Sequence, residues 1–345
     1  MDEYRRQKET ATLHDTLITA VASLFLPGSP LNKSTGYLFR SADPLWELGV
    51  PSFDVWIHNF NTGTSLFVEC KTGLAQTTRE IRGIYEAAFT VRQNQVYLES
   101  ILGKGISSME FVLCTPASEM QRVAEAVGRL DQEPDLPGTQ TPLLLWQLDV
   151  FKQQSIQFFK LVPGRDGGKL EFRHRDSNLM KELRQPVPVD DSELLVKVYP
   201  SSHPVLLAKN VISEMLRRNE ATGESLQVVR RRDVCDFFSS PTNVGHYAAG
   251  KIGESLMKIV IDRGVEFGLL RPSVDAKDVF SITVKGTLPS TILTQYERRY
   301  DQAAARKIAW NRATKEVTEQ DAKRNPPLDR WVKVETKSSG QDTSG

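Results

Sequence analysis

Pro51-Ser52-Phe53-Asp54-Val55-Trp56-Ile57-His58-Asn59-Phe60-Asn61-Thr62-Gly63-Thr64-Ser65-Leu66-Phe67-Val68-Glu69-Cys70-Lys71-Thr72-Gly73 holds two apolar, β-branched runs separated by a glycine-containing turn. That pattern reads as a β-hairpin. With a loop of two or four residues centred between Thr62 and Gly63, Asp54 lies opposite Lys71. Side chains alternate along a strand, so Glu69, two positions before Lys71, shares its face and sits diagonal to Asp54. A three-residue loop without a bulge would instead turn Asp54 to the other side.

Two carboxylates beside an ammonium suit metal-assisted hydrolysis of a phosphodiester. Carboxylate oxygens are hard ligands for Mg²⁺, and the metal polarises the phosphate and acidifies bound water. A lysine there orients that water or offsets developing charge. Val55, Ile57, Leu66, Val68 and Cys70 are expected on the opposite, core-facing side. The Cys70 thiol needs no role, although its carbonyl is eligible as a metal ligand. His58 shares the parity of Asp54 and is expected as a half-exposed sheet histidine.

Working outward, Leu13, Leu17, Val21 and Leu24 mark an amphipathic helix over 9–26, stopped by Pro27-Gly28-Ser29-Pro30. β-like runs follow at 37–40, 53–60 and 65–71, then a long helix over 78–102. A strand at Phe111-Val112-Leu113-Cys114, a helix over 118–130 and a strand at Leu143-Leu144-Leu145-Trp146 complete the series. This α, three β, α, β, α, β order predicts an α/β domain, a sheet with helices on both faces.

The motif resembles that of the PD-(D/E)XK, or restriction-endonuclease-like, nucleases: an Asp entering one strand (Ser52-Phe53-Asp54) and Glu-x-Lys leaving the next (Glu69-Cys70-Lys71). Phe53 stands where that family usually has proline, and Pro51 lies further upstream. The resemblance spans about residues 5–150 and implies a mixed sheet flanked by helices. It further implies that Asp54 and Glu69, with the Cys70 carbonyl, bind Mg²⁺, for which Mn²⁺ substitutes, and that Lys71 acts on the attacking water. Members often add an acid from the first helix, here Glu9 with Asp15 as second choice, and a polar residue after the motif, here Gln95 or Gln93.

Polar, proline- and glycine-rich sequence at 163–192 marks a linker after a domain over 1–162. Three helical stretches and a β-like run over 193–288 resemble a winged-helix DNA-binding domain. Its DNA contacts are expected from Arg230, Arg231 and Arg232 at the second helix and from His246, Tyr247 and Lys251 at the third. A charged helix over 289–325 reads as a DNA clamp or as a dimerising or domain-bridging helix, and residues 326–345 as a disordered tail.

Composition bounds the function. With 44 Lys and Arg against 43 Asp and Glu, the net charge is +1, so any nucleic-acid affinity must come from local basic clusters. The 3 cysteines, far apart and outside any CxxC spacing, argue for reduced thiols in a cytoplasmic protein and against structural zinc. No apolar run reaches the length needed to span a membrane. These residues describe a Mg²⁺-dependent deoxyribonuclease acting in restriction, defence or repair. A DNA-binding regulator on an inactive nuclease-like scaffold, and an RNA-cleaving nuclease, are the alternatives.

Overall fold

A computed structural model describes residues 2–73, 77–130, 143–153, 156–163, 174–189, 202–238 and 251–324. Helix α1 (Asp2–Leu24) is followed by a short α2 (Pro30–Thr35), which Ser29 caps by accepting the Asn32 amide. Strands β1 (Tyr37–Ala42), β2 (Val55–Asn59) and β3 (Thr64–Cys70) form an antiparallel meander. Arg40 is an extra residue in the β1–β2 ladder, and the bulge brings its guanidinium over the Phe60 ring at 5.0 Å.

The β2–β3 register differs from the expected one by two residues. The ladder pairs Asn59 with Thr64 and Val55 with Val68, leaving a four-residue loop over 60–63. Asn59 sets this loop. Its Oδ1 accepts the amides of Asn61 at 2.9 Å and Thr62 at 3.3 Å, so the chain turns one residue earlier than glycine placement alone implies. Gly63 then takes φ +69, and a Cβ there would meet the Ser107 Oγ at 2.4 Å. Because the shift is even, the face is kept: one further step of the ladder puts Asp54 opposite Glu69 rather than Lys71.

The expected long helix over 78–102 is two helices, α3 (Thr77–Gln93) and α4 (Gln95–Leu102). Between them Asn94 donates its side-chain amide to the Thr90 carbonyl at 2.8 Å. Strand β4 (Ser108–Pro116), α5 (Ala117–Leu130) and β5 (Leu143–Gln153) follow, and β4 pairs in parallel with both β3 and β5. The molecule is thus α/β, with a mixed sheet flanked by helices. On one face Phe67 stacks with Trp56 and Phe111, and Arg92 of α3 covers Phe111 at 5.4 Å. On the other, Phe25 stacks on Trp146. Both faces are core, which corrects the expectation of a one-sided hairpin and explains its nearly continuous apolar runs.

The sheet continues past β5. Strand β6 (Ile156–Pro163) and, beyond α6 (Ser177–Glu182), β7 (Val187–Val189) give a 7-stranded sheet in sequence order. Residues 187–189, read from sequence as linker, are therefore an edge strand paired with β6. A buried polar chain anchors this segment. The Trp146 indole donates to Nε2 of His174 at 2.7 Å, and Nδ1 of His174 meets Oε2 of Glu110 at 2.6 Å. Because an indole N–H can only donate, the imidazole proton sits on Nδ1, facing Glu110.

The following residues form a second core. Helices α7 (Pro204–Thr222), α8 (Arg231–Phe238) and α9 (Lys251–Glu266) pack with a 3-stranded antiparallel sheet of β8 (Val228–Arg230), β9 (Leu270–Pro272) and β10 (Val279–Ile282), β10 central. Helix α10 (Pro289–Arg324) buries Ile292, Tyr296 and Tyr300 in this core, and its residues 306–320 project almost wholly exposed. Helix α1 touches α10: the Lys8 ammonium lies 2.8 Å from Glu297 and 2.7 Å from Asp301, and the Tyr4 hydroxyl donates to Asp301 at 2.8 Å. The tail over 326–345 lies outside the described residues.

Candidate active site

Asp54 is the residue just before β2, so its backbone has left the ladder but its side chain has not. Its Oδ2 accepts the buried amide of Cys70 at 2.7 Å and lies 3.2 Å from Nε2 of His14 on α1. Glu69, the penultimate residue of β3, meets the Lys71 ammonium at 2.6 Å. The Lys71 backbone is fixed in turn by β4: its amide donates to the Cys114 carbonyl at 2.9 Å, and its carbonyl accepts the Thr115 hydroxyl at 3.0 Å. Four ionisable groups, from α1, the residue before β2, β3 and the residue after β3, thus converge at one end of the hairpin.

Their electrostatics record the crowding. Burial, then the neighbouring Asp54, pushes the Glu69 carboxyl up to about 7, against the opposing pull of Lys71. Burial alone would lower Lys71, but the carboxylates of Glu69 and Asp54 outweigh it and hold the ammonium charged. Burial likewise opposes a charge on His14, and the hydrogen bond to Asp54 together with the negative charge of that carboxylate more than offsets it, leaving the imidazole above its ordinary value.

The other expected residues divide. Glu9 is exposed and lines a groove between α1 and α10. The side chain that α1 brings to Asp54 is His14, which the sequence reading missed. Asp15, the second choice, is turned toward Ser202; burial raises its carboxyl to about 6. Gln95 donates to Glu99 at 2.7 Å and to the Ile106 carbonyl at 3.1 Å, holding the loop before β4, and Gln93 is exposed. His58 is fully buried rather than half-exposed. It bonds Ser65 Oγ at 2.9 Å, and burial drives it down to about 4, so it is neutral. Burial raises the Cys70 thiol too, leaving only its carbonyl eligible to bind a metal.

In the second core, Arg230 is held by Glu224 at 2.6 Å and Arg231 lies 3.2 Å from Asp278. Arg232 is 89% exposed, with Asp236 at 3.9 Å. His246 and Tyr247 lie outside the described residues; Lys251 opens α9, its side chain outside them as well.

The donor set suits a hard divalent cation. The Cys70 amide and His14 engage Oδ2 of Asp54 and Lys71 engages Oε1 of Glu69, and a cation between the two acids would favour the charged form of Glu69, whose carboxyl burial and Asp54 raise. Among the described residues no three His, Cys, Asp or Glu side chains form a ready cage, so a metal here would need the Cys70 carbonyl and water to complete its shell. No helix among the described residues is long and apolar enough to cross a membrane. Comparison with protein-family models, curated proteins and solved structures finds no match to the chain.

Proposed function

We propose that the chain is a Mg²⁺-dependent deoxyribonuclease of the PD-(D/E)XK kind, with a winged-helix-like module that supplies DNA affinity. The observation that carries this reading is that Asp54, bonded to the Cys70 amide, lies beside Glu69 at the hairpin mouth, Lys71 being 2.6 Å from Glu69. The element order supports it: a helix, three antiparallel strands, helices and a parallel strand. Asp54, Glu69 and the Cys70 carbonyl would hold Mg²⁺ or Mn²⁺, which when bound polarises a phosphate and lowers the pKa of water. His14 fixes the rotamer of Asp54 by its contact with Oδ2. Lys71, released from Glu69, orients the attacking water and offsets charge on the phosphate.

The second core supports the DNA-binding part by its topology, three helices around a small antiparallel sheet, and by the exposed guanidinium of Arg232. Arg230 and Arg231 would have to exchange their carboxylate partners for phosphates.

Titration of Mg²⁺ and Mn²⁺ against plasmid, linear duplex, single-stranded DNA and RNA tests the reading, with Asp54→Ala and Lys71→Ala as controls. Metal-dependent cutting of DNA that both substitutions abolish is the expected result. Cutting that survives both removes the site assignment. Tight DNA binding without cutting of any substrate favours a regulator, and cutting confined to RNA changes the substrate.

A further inference from the structure

Between α1 and α10 runs a groove of about 970 Å³, and the site described above does not use it. One wall is the exposed side of α1, with Arg5 and Glu9; the other is α10, with Arg298. Its floor is already neutralised. Lys8 bridges Glu297 and Asp301, and Lys209 makes a second contact to Glu297 at 2.9 Å. Arg5 and Arg298 are both exposed, and neither has an ion-pair partner among the described residues. Two unengaged guanidinium groups therefore face each other over a floor that contributes little net charge.

The groove shares a helix with the site. Leu13, beside His14, lines it and is 59% exposed, while His14 reaches Asp54. From Arg5 to His14 is nine residues, about 14 Å along the axis at about 1.5 Å per residue and half a turn around it, so α1 stands between the groove and Asp54. A guanidinium binds phosphate through a planar fork, and contacts of this kind position a strand without reading its bases.

We infer that the α1–α10 groove is a DNA-backbone track in which Arg5 and Arg298 grip phosphates beyond the one at the Asp54–Glu69–Lys71 site. The inference deepens the nuclease reading and rests on it for the choice of DNA. Glu9, one turn along α1 from Arg5, is the groove's unengaged acid and works against the grip.

Fluorescence anisotropy of a labelled 20-mer duplex with the full-length protein, in EDTA across a salt series, reads the groove apart from catalysis. Arg5→Gln/Arg298→Gln should weaken binding about tenfold and lower the magnitude of the log affinity–log salt slope by about two. Arg5→Lys/Arg298→Lys should keep most of the slope, and Glu9→Gln should tighten binding. Arg129→Gln, at an exposed position on α5, should do neither. Retention of wild-type affinity and slope by the double glutamine variant overturns the inference, as does an equal loss of slope in the double lysine variant, which keeps both charges. If the wild type cuts DNA and the double glutamine variant matches it, the track fails and the nuclease reading stands. If the wild type shows the arginine-dependent slope but never cuts, the track stands and the catalytic reading fails. A slope that responds only with an RNA probe overturns the choice of DNA.

Discussion

The backbone amide of Cys70 donates to Oδ2 of Asp54 at 2.7 Å, so a side chain takes the place of a main-chain acceptor where β2 begins. Asp54 therefore carries two jobs, finishing the sheet and furnishing a carboxylate to the site. The two separate by substitution. Asp54→Asn keeps an oxygen for the Cys70 amide and should cost less than about 1 kcal/mol, whereas Asp54→Ala leaves that amide buried without an acceptor and should cost about 2 kcal/mol. Both should abolish metal-dependent cleavage. Urea denaturation beside a plasmid-cutting assay compares them, and equal stability losses would remove the structural half of the argument.

His14 supplies a pH-dependent contribution to stability. Its folded-state value lies above the ordinary 6.5 because Asp54 favours the imidazolium. A raised histidine stabilises the fold fully below its unfolded value, and the contribution disappears as pH rises through the folded one. His14→Ala should therefore destabilise by about 1–2 kcal/mol at pH 6 and by little at pH 9. Denaturation curves at the two pH values check the sign.

Glu69 predicts proton release. With its carboxyl pushed up to about 7 by burial and Asp54, it is largely protonated at pH 6 and ionised at pH 9. Metal capture by the ionised form should release close to one proton per site at pH 6 and almost none at pH 9. Calorimetry of Mg²⁺ or Mn²⁺ binding in buffers of different ionisation enthalpy measures this, and Glu69→Gln should show neither binding nor release.

Gly63 is the steric point of the hairpin. At φ +69, with the Ser107 Oγ 2.4 Å from any added Cβ, Gly63→Ala is strained in both backbone and packing. It should lose about 2–3 kcal/mol, and pairing it with Ser107→Gly should recover the packing part while leaving the cost of φ. A double-mutant cycle by thermal or urea unfolding resolves the two.

The Glu110–His174–Trp146 chain makes a separate prediction. Trp146→Phe removes the donor to Nε2 of His174 inside the core and should cost about 1–3 kcal/mol in a urea titration. In the wild type, nitrogen NMR of His174 should show the proton on Nδ1.

How much of this was legible in the sequence depended on the range of the interaction. The common face of Asp54, Glu69 and Lys71 follows from the period of two, and it survived a register error because the error was even. The error itself came from Asn59, whose side chain captures the Asn61 and Thr62 amides; glycine position alone cannot reveal that. On α1, helical periodicity offered several polar side chains, and only the packing of the helix against the sheet selects His14 over Glu9. Residues 187–189 looked like linker because Val-Pro-Val is too short to register as a strand until β6 is there to pair with it. The buried state of His58 was hidden for the same reason, since its parity told its side of the ribbon but not that the side was covered.

The four-residue hairpin loop restricts how this region can drift between relatives. A two-residue slip of the β2–β3 ladder slides Asp54 along β3 yet keeps it on the same side, while a one-residue slip must either raise a bulge or exile the acid behind the sheet. Divergent forms of the protein should therefore shift this pairing in even steps, with an odd slip tolerated only where the acid has moved to a new strand position.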